Sequence, residues 1–115
     1  MNIAGKWSYR EDFGLGKSEG EVILFQTGNK VSGKFIFTEK VENDYEILVT
    51  ETVEGTFFEN RLLLESTEVK ALQDEKEIEY LPNNFEVFLV SESKLVGSTY
   101  DCENVCGVFV MEKEV

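Results

Sequence analysis

Apolar and polar residues exchange places at every second position along most of this chain, and that period of two constrains its fold more than any other feature. Val31, Gly33, Phe35 and Phe37 alternate with Ser32, Lys34, Ile36 and Thr38. Ile3, Gly5, Trp7 and Tyr9 share one face, and Val22 and Leu24 share another. Such a period belongs to a strand with one buried face, because successive side chains of a strand point to opposite sides. The supply of Phe, Val, Ile and Thr in these runs favours strands as well.

Polar turns punctuate the runs. Gly28-Asn29 and Glu59-Asn60 are hairpin signals, and residues 91–93 mark another turn. The strand-like segments are 3–9, 21–27, 31–38, 45–57, 62–69, 85–90, 95–100 and 105–111. Residues 10–19 read as a polar, glycine-rich flexible loop and 40–44 as a second loop. The run through Tyr45, Ile47, Val49, Val53 and Phe57 is long enough to need a bend, which Gly55 would supply. Residues 70–84 are ambiguous. Good helix formers cover 70–77, yet Ile78 and Tyr80 alternate with Glu77 and Glu79 as in a strand.

A chain of 115 residues fits one domain, here 1–115, with room for a core that needs no staples. Short links imply antiparallel neighbours. If the first and last strands also pair antiparallel, their number is even. Treating Pro82 as a local break within one strand gives eight. The expected fold is therefore all-β, an antiparallel up-and-down barrel of about eight strands, which leaves no open edge. The alternative is an antiparallel β-sandwich.

The formal net charge is −12. Nucleic acid and anionic membranes are thereby disfavoured as partners, and a basic protein is favoured. The simpler account of the same charge is solubility and guarded sheet edges, consistent with a monomer or weak dimer. No apolar leader opens the sequence and no run is long enough for a membrane-spanning helix, so a cytoplasmic location is expected. Cys102 and Cys106 are the two cysteines, and the chain has no histidine. A zinc site would need further soft ligands, so no metal and no cofactor is expected. A reducing compartment favours two thiols over a hairpin disulfide.

Gly5-Lys6-Trp7 leads directly into the strand series, and Trp7 is the single tryptophan. With this placement and length the chain resembles the calycin superfamily of lipocalins, fatty-acid-binding proteins and avidin. The resemblance implies a barrel plugged at one end by Trp7, with an interior that holds a small, largely apolar molecule near the opposite, loop-covered end. The chain departs from that pattern: it is too short for a C-terminal lipocalin helix and lacks room for the helical lid of fatty-acid-binding proteins, and three further differences lie in its residues. Asn43-Asp44-Tyr45, similar to a second lipocalin motif, comes too early; no arginine near the C-terminus is placed to pack on Trp7, only Lys113; and the several tryptophans of a biotin pocket are missing.

Chemistry is sparse. Without histidine, Ser-His-Asp and Cys-His devices are excluded. Gly14-Leu15-Gly16-Lys17-Ser18 is only a fragment of a phosphate loop. No catalytic residue is assigned, and an enzyme is not expected. The expected ligand-binding residues of a barrel interior are Phe35, Phe37, Ile47, Val49, Phe57, Phe85 and Tyr100. The second functional reading is an acidic inhibitor or immunity-type protein, with Glu75, Glu77 and Glu79 facing a basic partner. Gln26, Glu51 and Glu65 stand in otherwise apolar alternations. A register slip at a bulge, turning them to water, is the favoured account of each.

Overall fold

The computed structural model describes residues 2–100 and 107–114. Among the described residues nine strands follow one another: β1 (Gly5–Asp12), β2 (Lys17–Thr27), β3 (Lys30–Val41), β4 (Tyr45–Phe58), β5 (Arg61–Gln73), β6 (Lys76–Ile78), β7 (Asn84–Ser91), β8 (Lys94–Tyr100) and β9 (Gly107–Lys113). Every pairing is antiparallel. The order β1-β2-β3-β4-β5-β7-β8-β9 closes through β9 on β1, giving an eight-stranded up-and-down barrel with β6 as an extra short strand. One continuous ladder around the molecule rules out two separate sheets, so the sandwich alternative falls.

Turn chemistry sets the hairpins. Glu59 and Asn60 have φ of 52° and 66°, and Asp74 and Glu75 have 50° and 66°. Two successive positive φ values match the right-handed twist of the flanking strands, and Asn and Asp tolerate them better than most residues. Gly28, with φ of 62°, opens the β2–β3 turn.

The ambiguous stretch resolves into a strand with a gap. β5 runs on to Gln73 and turns directly into β6, so residues 70–77 form no helix. β6 and β7 both pair with β5, through Ala71↔Ile78 and Glu65↔Asn84. Six steps back along β5 match six steps forward along the partner, so both pieces belong to one register. Pro82 lies in the gap, where a residue without an N–H costs no ladder bond. The ladder resumes where Ser66 N donates to Asn83 O at 3.1 Å.

The expected loop at 10–19 is mostly strand. Arg10, Glu11 and Asp12 pair with Glu19, Ser18 and Lys17, leaving only residues 13–16 as the turn. The last strand is described from Gly107 rather than from 105, and the Cys102–Cys106 turn lies outside the described residues.

Inward residues fill the lower and middle barrel. The Tyr9 ring sits 5.3 Å from Phe35, 5.5 Å from Phe37 and 5.3 Å from Phe109, centroid to centroid, and Phe35 stacks on Phe85 at 4.3 Å. Each such contact adds about 0.5–1.5 kcal/mol beyond area burial. Below this layer Trp7 is fully buried and its indole Nε1 donates to Ile3 O at 3.0 Å. Lys113 Nζ lies 5.6 Å from the centre of the Trp7 ring, so a lysine occupies the place for which no arginine was available. Gly5 has φ of 133°, and a Cβ there would press against Lys113 Cε at 3.2 Å. The Gly-x-Trp pattern is thus a local packing unit.

Candidate functional site

The strand period carries polar residues onto the inward face at the end opposite Trp7. On β1 the inward series is Trp7, Tyr9 and Glu11; on β3 it is Phe35, Phe37 and Glu39. Between them on β2 stands Ser18, paired with Glu11 on one side and Glu39 on the other. Opposite residues of an antiparallel pair share a face, so the three form one polar row across the sheet.

Above the aromatic layer Glu11 and Glu39 of this row border a cavity of about 570 Å³. Its apolar walls come from Phe13 and Leu15 in the 13–16 turn, Tyr45 and Ile47 on β4, Ile78 on β6, and Leu81 in the gap. Glu11, Glu39, Asp44, Gln73, Glu79, Tyr80, Asn83 and Thr99 supply the polar groups. Leu15 is 84 % exposed at the rim, an apolar side chain with little protein contact of its own.

Each acidic group here takes neutral donors. Tyr9 Oη donates to Glu11 Oε1 at 2.9 Å, and Thr99 Oγ1 donates to Glu11 Oε2. Tyr45 Oη donates to Glu39 Oε2 at 2.9 Å and Tyr80 Oη to Glu39 Oε1 at 2.6 Å. Glu51, fully buried one layer deeper, accepts from Asn83 N and from Asn83 Nδ2, each at 2.9 Å.

Burial pushes the Glu11 carboxyl above its ordinary range; the Thr99 and Tyr9 hydroxyls oppose that rise and the nearby Glu39 charge adds to it. Burial likewise raises Glu51 against the pull of the Asn83 donors. Tyr45 is pushed up to about 12, first by burial and then by Glu39, and burial raises Tyr9 and Tyr80 strongly. These phenols therefore remain protonated donors at neutral pH.

The residues expected to bind a ligand separate in space. Ile47 lines the cavity. Phe35, Phe37, Val49 and Phe85 are packed in the buried midsection, and Phe57 is buried beside the turns at the Trp7 end. Tyr100 stands on the outer face, 40 % exposed, because the inward positions of β8 are Leu95, Gly97 and Thr99. There it joins Phe25, Leu63 and Glu65 along a groove of about 680 Å³ that Phe85 also lines. The polar residues in apolar alternations also divide. Glu65 is exposed and Gln26 half-buried, but Glu51 faces the interior, which corrects the expectation that a slip turns it to water. A register shift does occur between Thr52 and Val53, beyond Glu51. Glu11, Ser18, Glu39 and Tyr80 were not among the expected site residues. For Glu11 and Glu39 the signal was present: each continues an inward series by one step of two.

No family model matches the chain, and no curated protein matches it in sequence. Its fold matches designed barrels. A redesigned β-barrel, mFAP1, solved bound to DFHBI, superposes with a TM-score of 0.65 at 7 % identity, over 96 % of this chain and 94 % of that one. A second, mFAP0 bound to DFHBI, gives 0.61 at 8 % identity over 96 % and 98 %. A third, a fluorescence-activating β-barrel designed de novo, gives 0.56 at 10 % identity over 97 % and 94 %. At these identities the likeness is one of fold, so the calycin expectation holds at the level of a closed eight-stranded barrel.

Proposed function

We propose that this chain is a non-enzymatic binding barrel that takes a small, largely apolar ligand in the cavity opposite Trp7. The observation that carries this reading is the division of the interior. Its lower part is filled by aromatic side chains, while its upper part retains about 570 Å³ bounded by apolar walls, oriented hydroxyls and carboxylates. Small-molecule sites have this composition and size. Two of the similar designed barrels are described as bound to DFHBI, which supports a barrel of this shape serving as a ligand holder.

A neutral apolar fluorophore such as Nile red tests the reading. Saturable one-to-one binding with a blue-shifted emission is expected, and Ile78→Trp, which fills the cavity wall, should remove it. Binding that survives this plug, or none in the parent protein, would overturn the proposal.

A second reading keeps a basic protein as partner. It is favoured by Glu75, Glu77 and Glu79, all exposed beside the same opening on a molecule of net charge −12. Reversing these three to lysine should then slow capture of the partner and weaken its salt dependence.

A further inference from the structure

The interior polar row has an unbalanced charge. Among the described residues the ion pairs are Lys6–Glu21, Lys6–Glu114, Arg10–Glu112 and Arg61–Glu86, all on the outer surface. None reaches Glu11 or Glu39. Their partners are the hydroxyls of Tyr9, Thr99, Tyr45 and Tyr80, which hold the carboxylates in place without neutralising them. An uncompensated carboxylate in a poorly solvated site is costly until a counter-charge or a proton arrives. A second observation points the same way. Ser18 is 1 % exposed and lies between Glu11 and Glu39 in the row, and its Oγ has no hydrogen-bond partner among the described residues. A buried hydroxyl left unpaired is uncommon, and here it stands between the two carboxylates that border the cavity.

Resting on the binding-barrel reading, we propose that the ligand is an apolar molecule carrying a protonated amine, its ammonium seated on the Glu11–Ser18–Glu39 row and its hydrocarbon body against Ile47, Ile78 and Leu81. A primary ammonium has three donors and no acceptor, and the row offers two carboxylates and one hydroxyl oxygen. The four aromatic and threonine hydroxyls donate to the carboxylates without charge, and among the described residues no ion pair reaches them, so the ammonium supplies the counter-charge. An anionic headgroup, as on a fatty acid, would meet two carboxylates and be rejected.

The experiment uses three probes of one shape: 1-naphthylmethylamine, 1-naphthylmethanol and 1-naphthoate, titrated calorimetrically into the full chain at neutral pH. The amine is expected to bind about tenfold or more tightly than the alcohol, the scale of a charge-assisted hydrogen bond, and the acid weakest. Glu39→Gln should remove most of the amine's advantage over the alcohol, and Ser18→Ala should narrow that advantage too. Circular dichroism confirms that each variant folds; should Glu39→Gln not fold, the order of the three probes on the parent protein decides. Equal binding of amine and alcohol, both lost in Ile78→Trp, would overturn the amine assignment and leave the binding barrel standing. No binding by any of the three, with none by Nile red, would overturn both.

Discussion

Glu51 shows how a single residue is accommodated at a position its chemistry resists. It lies between Val49 and Val53 on the inward face of β4 and is fully buried. A carboxyl group there is tolerable only if its oxygens are partnered. Asn83 supplies both donors, one from its backbone and one from its side chain, from 32 residues away. Asn83→Ala removes the side-chain donor, so it should lower stability by about 1–3 kcal/mol, read as a shift in the urea midpoint. Glu51→Gln should do the opposite near neutral pH. The amide keeps the shape, and a flipped Asn83 amide pairs with it while no charge is left inside. Lys113→Ala tests the opposite end and should cost about 0.5–1 kcal/mol, the value of a partly exposed cation over an indole. The alternation of β4 points Glu51 inward, where the favoured register slip would have turned it to water. What the sequence could not show was Asn83, because the chain distance hides a partner that only the closed barrel brings near.

At the scale of elements, strand alternation was legible wherever the inward residue was apolar, and misleading where it was polar. Residues 10–19 resembled a loop because Glu11 and Ser18 interrupt the apolar series, yet both remain in register in paired strands. The break at Pro82 was legible as a local interruption, since proline cannot donate to a ladder; the extent of β5 and its turn into β6 was not, because residues 70–77 are good helix formers with few apolar positions. The same geometry yields two predictions. Among the described residues β6 has β5 as its only paired neighbour, so amides 76–78 should exchange with solvent well before those of β4, which is flanked on both sides. Gly55 packs its Cα directly against the Leu63 carbonyl across the β4–β5 ladder, so an added Cβ must displace backbone. Gly55→Ala should therefore cost about 1–3 kcal/mol, measured by denaturant unfolding; an unchanged midpoint would show that β4 does not need its bend there.

For the molecule as a whole, burial of acid in an already acidic protein determines how stability depends on pH. Glu11 and Glu51 both have carboxyls held above their ordinary value of 4.5 by burial, and in each case a second carboxylate adds to the rise. Between the unfolded value and the raised folded value, the folded chain binds more protons than the unfolded one. Stability therefore falls as pH rises through that window, and is greatest on its acid side. The net charge of −12 acts in the same direction, since protonation relieves surface repulsion. Salt separates the two contributions: about 0.5 M sodium chloride screens exposed charges within a few ångströms but barely reaches groups sealed in the core. In that buffer the urea midpoint should still rise as pH is lowered from about 8 to about 5, and the Glu11→Gln/Glu51→Gln double variant should show a much flatter profile. A parent profile that high salt alone flattens would assign the whole effect to the surface and leave the interior carboxyls without influence on folding.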